Sequence, residues 1–180
     1  MDDGGLVVVL LLTASLAAGG VGWIRRAARV AAPLALAGLA LAAGLAAASE
    51  RVHVVGRAEV ALLVALACAL AVVGGGPVTS RVFVLVDGRE RGPHPRSMHR
   101  AGEVLRGGAW IGLLERAGVF ASLVAGWPEG LAIVLGLKGL GRYPELRNQE
   151  RTGAAERFII GTFTSVLWAA ACAGVVRLLV

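Results

Sequence analysis

The chain has 180 residues, of which 57% are hydrophobic and 17% charged, with a formal net charge of +6. Apolar runs this long and numerous exceed what a soluble core of this size absorbs. That excludes a disordered chain, a secreted disulfide scaffold and a typical soluble enzyme, and makes the bilayer the expected solvent.

The first apolar run, residues 6–23, matches the roughly 17–25 residues a helix needs to cross the hydrocarbon core. Asp2 and Asp3 precede it and Arg25, Arg26 and Arg29 follow. That is the reverse of a cleaved signal peptide and reads as a retained anchor with its N-terminus outside. The second run, residues 30–49, is nearly all Ala, Leu and Gly, with Pro33 in its first turn, where proline is tolerated. The third, residues 60–73, is expected to break at Gly74-Gly75-Gly76-Pro77. Residues 81–87 (RVFVLVD) read either as an interfacial helix or as a continuation of the third span. A polar, basic loop follows over 88–106. The fourth span covers about 108–127 and contains Glu115 and Arg116, and a tight turn leads into the fifth segment. The apolar part of that segment, 131–137, is short. It spans only if Lys138 and Arg142 belong to the helix, and otherwise re-enters. The last run is 158–176, with Arg177 placed to snorkel.

The expected fold class is therefore all-α, a polytopic transmembrane bundle of about six segments. It divides into an Ala/Gly-rich three-span region (1–76), a cytoplasmic interfacial segment and basic loop (77–107), and a C-terminal hairpin plus final span (108–180). In this topology only Arg51, Arg57 and Arg177 lie outside and Arg116 lies within a span, which leaves 14 of the 18 Lys and Arg residues in cytoplasmic segments. The asymmetry supports a multi-pass protein of the inner or plasma membrane with both termini outside. The Ala/Gly-rich half signals close helix packing.

Cys68 and Cys172 sit inside apolar runs as small hydrophobes, and His53, His94 and His99 lie in polar connections without metal-ligand spacing, so no metal or other cofactor is expected. The chain carries no serine elbow, no zinc-protease helix and no P-loop, and only three aspartates, so an enzyme is not the expected class. Nucleic acid is not an expected partner either, because the basic loop lacks aromatic stacking groups.

The informative stretch is 108–166. Counted from Pro128, Glu115 lies 13 residues back, while Lys138 and Arg142 lie 10 and 14 forward. An antiparallel hairpin thus puts the acid at a depth between the two bases. An unpaired charge here costs roughly 2.5–3.5 kcal/mol, so pairing is expected. Gly118, Ser122 and Gly126 continue the Glu115 face as a small-residue stripe, and Gly161 and Ser165 begin a second one on the last span. One polar cluster is expected from Glu115, Arg116, Lys138, Arg142, Glu156, Thr162 and Ser165. It is read either as structural, with salt bridges fixing register and hydroxyls bonding their own helix, or as a cationic pocket for an anionic headgroup anchored by Lys138 and Arg142. A proton or ion relay through Glu115 is the third reading.

The sequence IGLLER (111–116), then KGLGRYPEL (138–146), then ERFIIGTFTS (156–165) resembles a family of small bacterial integral membrane proteins classed as a domain of unknown function. The shared pattern is an E-R pair (Glu115, Arg116), a K-x-x-x-R (Lys138, Arg142) and a final span opening E-x-x-x-x-G-T-x-x-S (Glu156, Gly161, Thr162, Ser165). It covers about a third of the chain. Arg157 departs from it, standing where an aromatic residue belongs. The resemblance implies a shared site and no particular activity. The expected function is a non-catalytic membrane bundle that binds anionic lipid of the cytoplasmic leaflet, another membrane protein or a second copy of itself. The alternative is a small oligomeric transporter or ion pathway.

Overall fold

A computed structural model describes residues 3–24, 27–48, 54, 56–87, 108–147 and 154–180. Among them the chain forms six helices: α1 (Asp3–Val21), α2 (Ala28–Ala48), α3 (Arg57–Asp87), α4 (Gly108–Val124), α5 (Glu129–Arg147) and α6 (Ala154–Leu179). Spanning structures in lipid must satisfy every backbone group internally, and the helix does so within one segment. Among the described residues four stretches are long and apolar enough to cross a membrane: Asp3–Val21, Arg29–Ala48, Arg57–Asp87 and Ala155–Leu179. With α4 and α5 they make a polytopic all-α bundle of about six segments.

Close approaches fix the directions. Gly19 of α1 and Gly22 just past its end lie against Gly74 and Pro77, so α1 and α3 run parallel. Trp168 meets Leu70 while Gly161 meets Phe83, so α6 runs antiparallel to α3. Val134 packs on Gly118 and Gly130 on Ser122, which makes α4 and α5 an antiparallel hairpin. The backbone N–H of Val54, ahead of α3, donates to the carbonyl of Leu179 at 3.0 Å, so the start of α3 and the end of α6 share one end of the bundle, called upper below. Helix α3 is central, touching α1, α2, α4 and α6, whereas α5 rests on α4 and meets α6 only narrowly. The core runs from Val8, Leu12, Ala35 and Leu39 through Leu63, Ala67 and Leu70 to Val119, Trp168 and Val175.

Three expectations are corrected. Helix α3 does not break at Gly74–Pro77. It runs through all 31 of its residues, about 46 Å at 1.5 Å per residue, so RVFVLVD forms its last turns and the boundary placed at 76/77 falls inside it. Glycine and proline end helices where water takes over a freed carbonyl, but here the indole of Trp23 takes the one that Pro77 frees, as described below. Pro33 is not in the first turn, since α2 begins five residues before it. Gly126 does not belong to a helical stripe. Helix α4 ends at Val124, and Gly126, at φ 70°, closes it with Gly126 N–H to Leu123 O (3.2 Å) and Trp127 N–H to Ser122 O (2.8 Å). These are the two bonds of a Schellman cap. Helix α5 carries Lys138 and Arg142 inside it, and it is not one of the four stretches long and apolar enough to cross a membrane. The basic loop 88–106, with His94 and His99, and residues Arg51 and His53 lie outside the described residues.

Candidate functional site

The site is organised by the lower half of α3. Pro77 has no N–H, so the carbonyl of Val73 loses its helical donor. The indole Nε1–H of Trp23, just past α1, donates to it at 3.0 Å. One residue back, Arg116 Nε–H from α4 donates to Val72 O at 3.0 Å, and Trp168 Nε1–H from α6 donates to Leu70 O at 3.1 Å. A carbonyl has two lone pairs, so it can accept such a bond besides its helical one. The glycine run makes room for all three donors. A Cβ on Gly74 would lie 2.7 Å from the Trp168 ring, one on Gly75 2.7 Å from Arg116 Nε, and one on Gly76 2.8 Å from the Trp23 ring. Each glycine is thus a slot for a donor from a different segment. Residue spacing alone does not reveal this, though a Gly-Gly-Gly-Pro run on an apolar helix together with two tryptophans near its depth is the available signal.

Arg116, 4% exposed, also reaches Ser165 Oγ with Nη1 at 3.5 Å, so α4 is bound to both α3 and α6. Glu115, also 4% exposed, faces away to α5, where its Oε2 accepts from Lys138 Nζ at 2.5 Å. The same Nζ stands 5.5 Å from the ring centroid of Phe158 on α6, within cation–π range. Arg142, one turn further along α5, is buried. Phe158, Thr162 and Ser165 follow one another at spacings of four and three, so they share the α6 face turned to α4 and α5. The structure therefore gathers Glu115, Arg116, Lys138 and Ser165 directly, with Thr162 on the same face.

Glu156 stands apart: it is exposed on α6 and lies on the face opposite Thr162 and Ser165. The expected cluster includes it, but its position around the α6 axis takes it out. Its neighbour Arg157 has the partners instead. Its Nη1 bonds the carboxylate of Asp87 at 3.2 and 3.3 Å, and its guanidinium stacks 4.2 Å from the ring centroid of Phe83. This clasp holds the lower ends of α3 and α6 together, and Gly161 admits Phe83 at the same seam. Of the stripe residues, Gly118 and Ser122 face α5, with the Ser122 hydroxyl donating to its own helix at Gly118 O, 2.8 Å. Ala169 and Ala173 are buried.

Chemically the site offers fixed positive charge. Three bases, Arg116, Lys138 and Arg142, are buried or half-buried on α4 and α5, and the Glu115 carboxylate spends one oxygen on Lys138. Lys138 has three donor hydrogens, so the bond to Glu115 leaves it able to hold a further acceptor. Among the described residues no three His, Cys, Asp or Glu side chains stand together as a metal-ligand group. Cys68 and Cys172 are free thiols. Compared with known proteins, the chain matches no family model, no curated protein and no solved structure.

Proposed function

We propose that the chain is a non-catalytic bundle of the cell membrane, with its N-terminus outside, that binds the phosphate headgroup of an anionic lipid in the cytoplasmic leaflet between α5 and α6. The observation that carries this reading is the placement of Lys138 and Arg142. They lie on successive turns of α5, withdrawn from solvent, on the helix that packs least against the rest. Clustered bases between membrane helices suit a lipid phosphate, and the basic excess of the proposed cytoplasmic segments draws such lipids to that side. The pattern that resembles a family of small bacterial membrane proteins supplies these bases and the Glu115–Arg116 pair opposite them.

Native mass spectrometry of the protein, released from mixed vesicles of phosphatidylglycerol and phosphatidylcholine, tests the reading. The wild type is expected to retain phosphatidylglycerol selectively. Arg142→Gln should lose most of it, and so should Glu115→Gln combined with Lys138→Met, which removes both charges and leaves neither unpaired. Equal retention of both lipids by the wild type rejects the reading. Ion flux in vesicles that disappears with Glu115→Gln would replace it with a transport role.

A further inference from the structure

Most of the small hydroxyls buried in these helices are spoken for. Ser15, Ser122 and Thr164 each donate to the carbonyl four residues back, at 2.7–2.8 Å, as the exposed Thr13 also does. This is the ordinary state of a hydroxyl on a membrane helix. Two depart from it. Thr79 Oγ1 on α3 and Thr162 Oγ1 on α6 are buried without a hydrogen-bond partner among the described residues, and so is Glu115 Oε1 on α4. Buried polar atoms are nearly always paired, so three orphans in one region call for a reason.

They do lie in one region. Thr79 is four residues beyond Gly75 and hence on the same α3 face, the one against which Arg116 packs. Thr162 sits one turn above Phe158, which stands over Lys138 Nζ, and three residues before Ser165, which Arg116 reaches. Glu115 is the neighbour of Arg116 and the partner of Lys138. Three helices thus each carry one unsatisfied oxygen around the buried bases: Thr79 on the α3 face that meets Arg116, Thr162 on the α6 face shared by Phe158 and Ser165, and Glu115 Oε1 on the α4 side that meets Lys138.

The chemistry wanted there is specific. Glu115 Oε1 can only accept, whereas the threonine hydroxyls both accept and donate. An ammonium group would donate to the carboxylate, but it would add a positive charge beside Arg116, Lys138 and Arg142. A neutral hydroxyl donates to Oε1 and accepts from a threonine without that repulsion.

We infer that Thr79, Thr162 and Glu115 Oε1 form a hydroxyl-recognising subsite next to the phosphate-binding bases, so that the lipid selected carries a polyol on its phosphate. This rests on the lipid-binding reading above and adds the headgroup class. A site that hydrogen-bonds a hydroxyl discriminates against ligands lacking it, because its own polar groups are then left unpaired.

Competition in native mass spectrometry tests the subsite, with phosphatidylglycerol, phosphatidic acid, phosphatidylserine and phosphatidylcholine at equal mole fraction. The wild type is expected to favour phosphatidylglycerol over phosphatidic acid and phosphatidylserine by about tenfold, the ratio that one good hydrogen bond to a buried group gives. Thr79→Val with Thr162→Val should abolish the preference while phosphatidic acid binds as before, and Thr162→Ser alone should keep it. A wild type that holds phosphatidic acid or phosphatidylserine as well as phosphatidylglycerol overturns the subsite and leaves the lipid-binding reading standing. So does a full preference in the double valine variant. A wild type that holds none of the three above phosphatidylcholine overturns both.

Discussion

The two halves of the molecule solve the same problem differently. Between helices in lipid there is no hydrophobic driving force, because the acyl chains are as apolar as leucine, and association needs close packing or hydrogen bonds. Helices α1 and α2 use closeness. Their buried residues are small or aliphatic (Val8, Leu12, Ala32, Ala35, Ala42), and the one buried hydroxyl, Ser15, bonds its own helix at Leu11 while packing on Gly38. Helices α4 to α6 use polarity, burying Glu115, Arg116, Ser122, Arg142 and Ser165. Helix α3 stands between and does both, since its glycines admit the close approach that brings polar donors onto its carbonyls. Polar groups are costly in lipid, so the half that carries them is where binding is to be sought.

The largest effect expected from testing this contrast comes at Gly75. Gly75→Leu drives a side chain into Arg116, which adds overpacking to the loss of a charged hydrogen bond at Val72 O. Together these cost about 3–5 kcal/mol. Thermal unfolding in mild detergent should show the variant severely destabilised. Gly44→Leu, at an open position on α2, should stay within about 1 kcal/mol of the wild type.

Next comes the ion pair. Glu115→Gln leaves Lys138 buried without its counter-charge and should cost about 2–4 kcal/mol, because breaking one side of such a pair is worse than removing both. Adding Lys138→Met should return part of that loss in a double-mutant cycle, and strictly additive losses would mean that the two charges do not interact.

Two smaller effects follow. Trp23→Phe removes the donor to Val73 O, and Gly126→Ala forces a Cβ into a φ of 70°. Each should cost about 1 kcal/mol. The smallest belongs to Glu156, whose exposed side chain on the far face of α6 predicts no more than about 0.5 kcal/mol for Glu156→Gln. A loss as large as that of Glu115→Gln would return Glu156 to the cluster.

The contrast also marks what the sequence could reveal. The register of Glu115 against Lys138 follows from counting residues either side of a turn, because an antiparallel hairpin converts sequence distance into depth. That arithmetic says nothing of rotation about the helix axis, which is what sets Glu156 apart from Thr162 and Ser165. Gly74–Pro77 reads as a break in sequence because the meaning of glycine and proline depends on what packs on that stretch and takes the carbonyl that proline frees. Here the donors come from Trp23, Arg116 and Trp168, which are scattered along the chain, and no local pattern links them. The Schellman cap at Gly126 was within reach, because a glycine followed by Trp127 and Pro128 ends a helix more often than it lines one.

The most direct measurement of the central claim is the thermal midpoint of the purified protein as phosphatidylglycerol is added to phosphatidylcholine micelles, for the wild type and for Arg142→Gln. A ligand that binds the folded state raises the midpoint by mass action. The wild-type midpoint should climb with phosphatidylglycerol and remain flat with phosphatidylcholine alone, and Arg142→Gln should lose most of the climb. An equal rise in both proteins, or none in the wild type, would contradict an anionic-lipid site on α5.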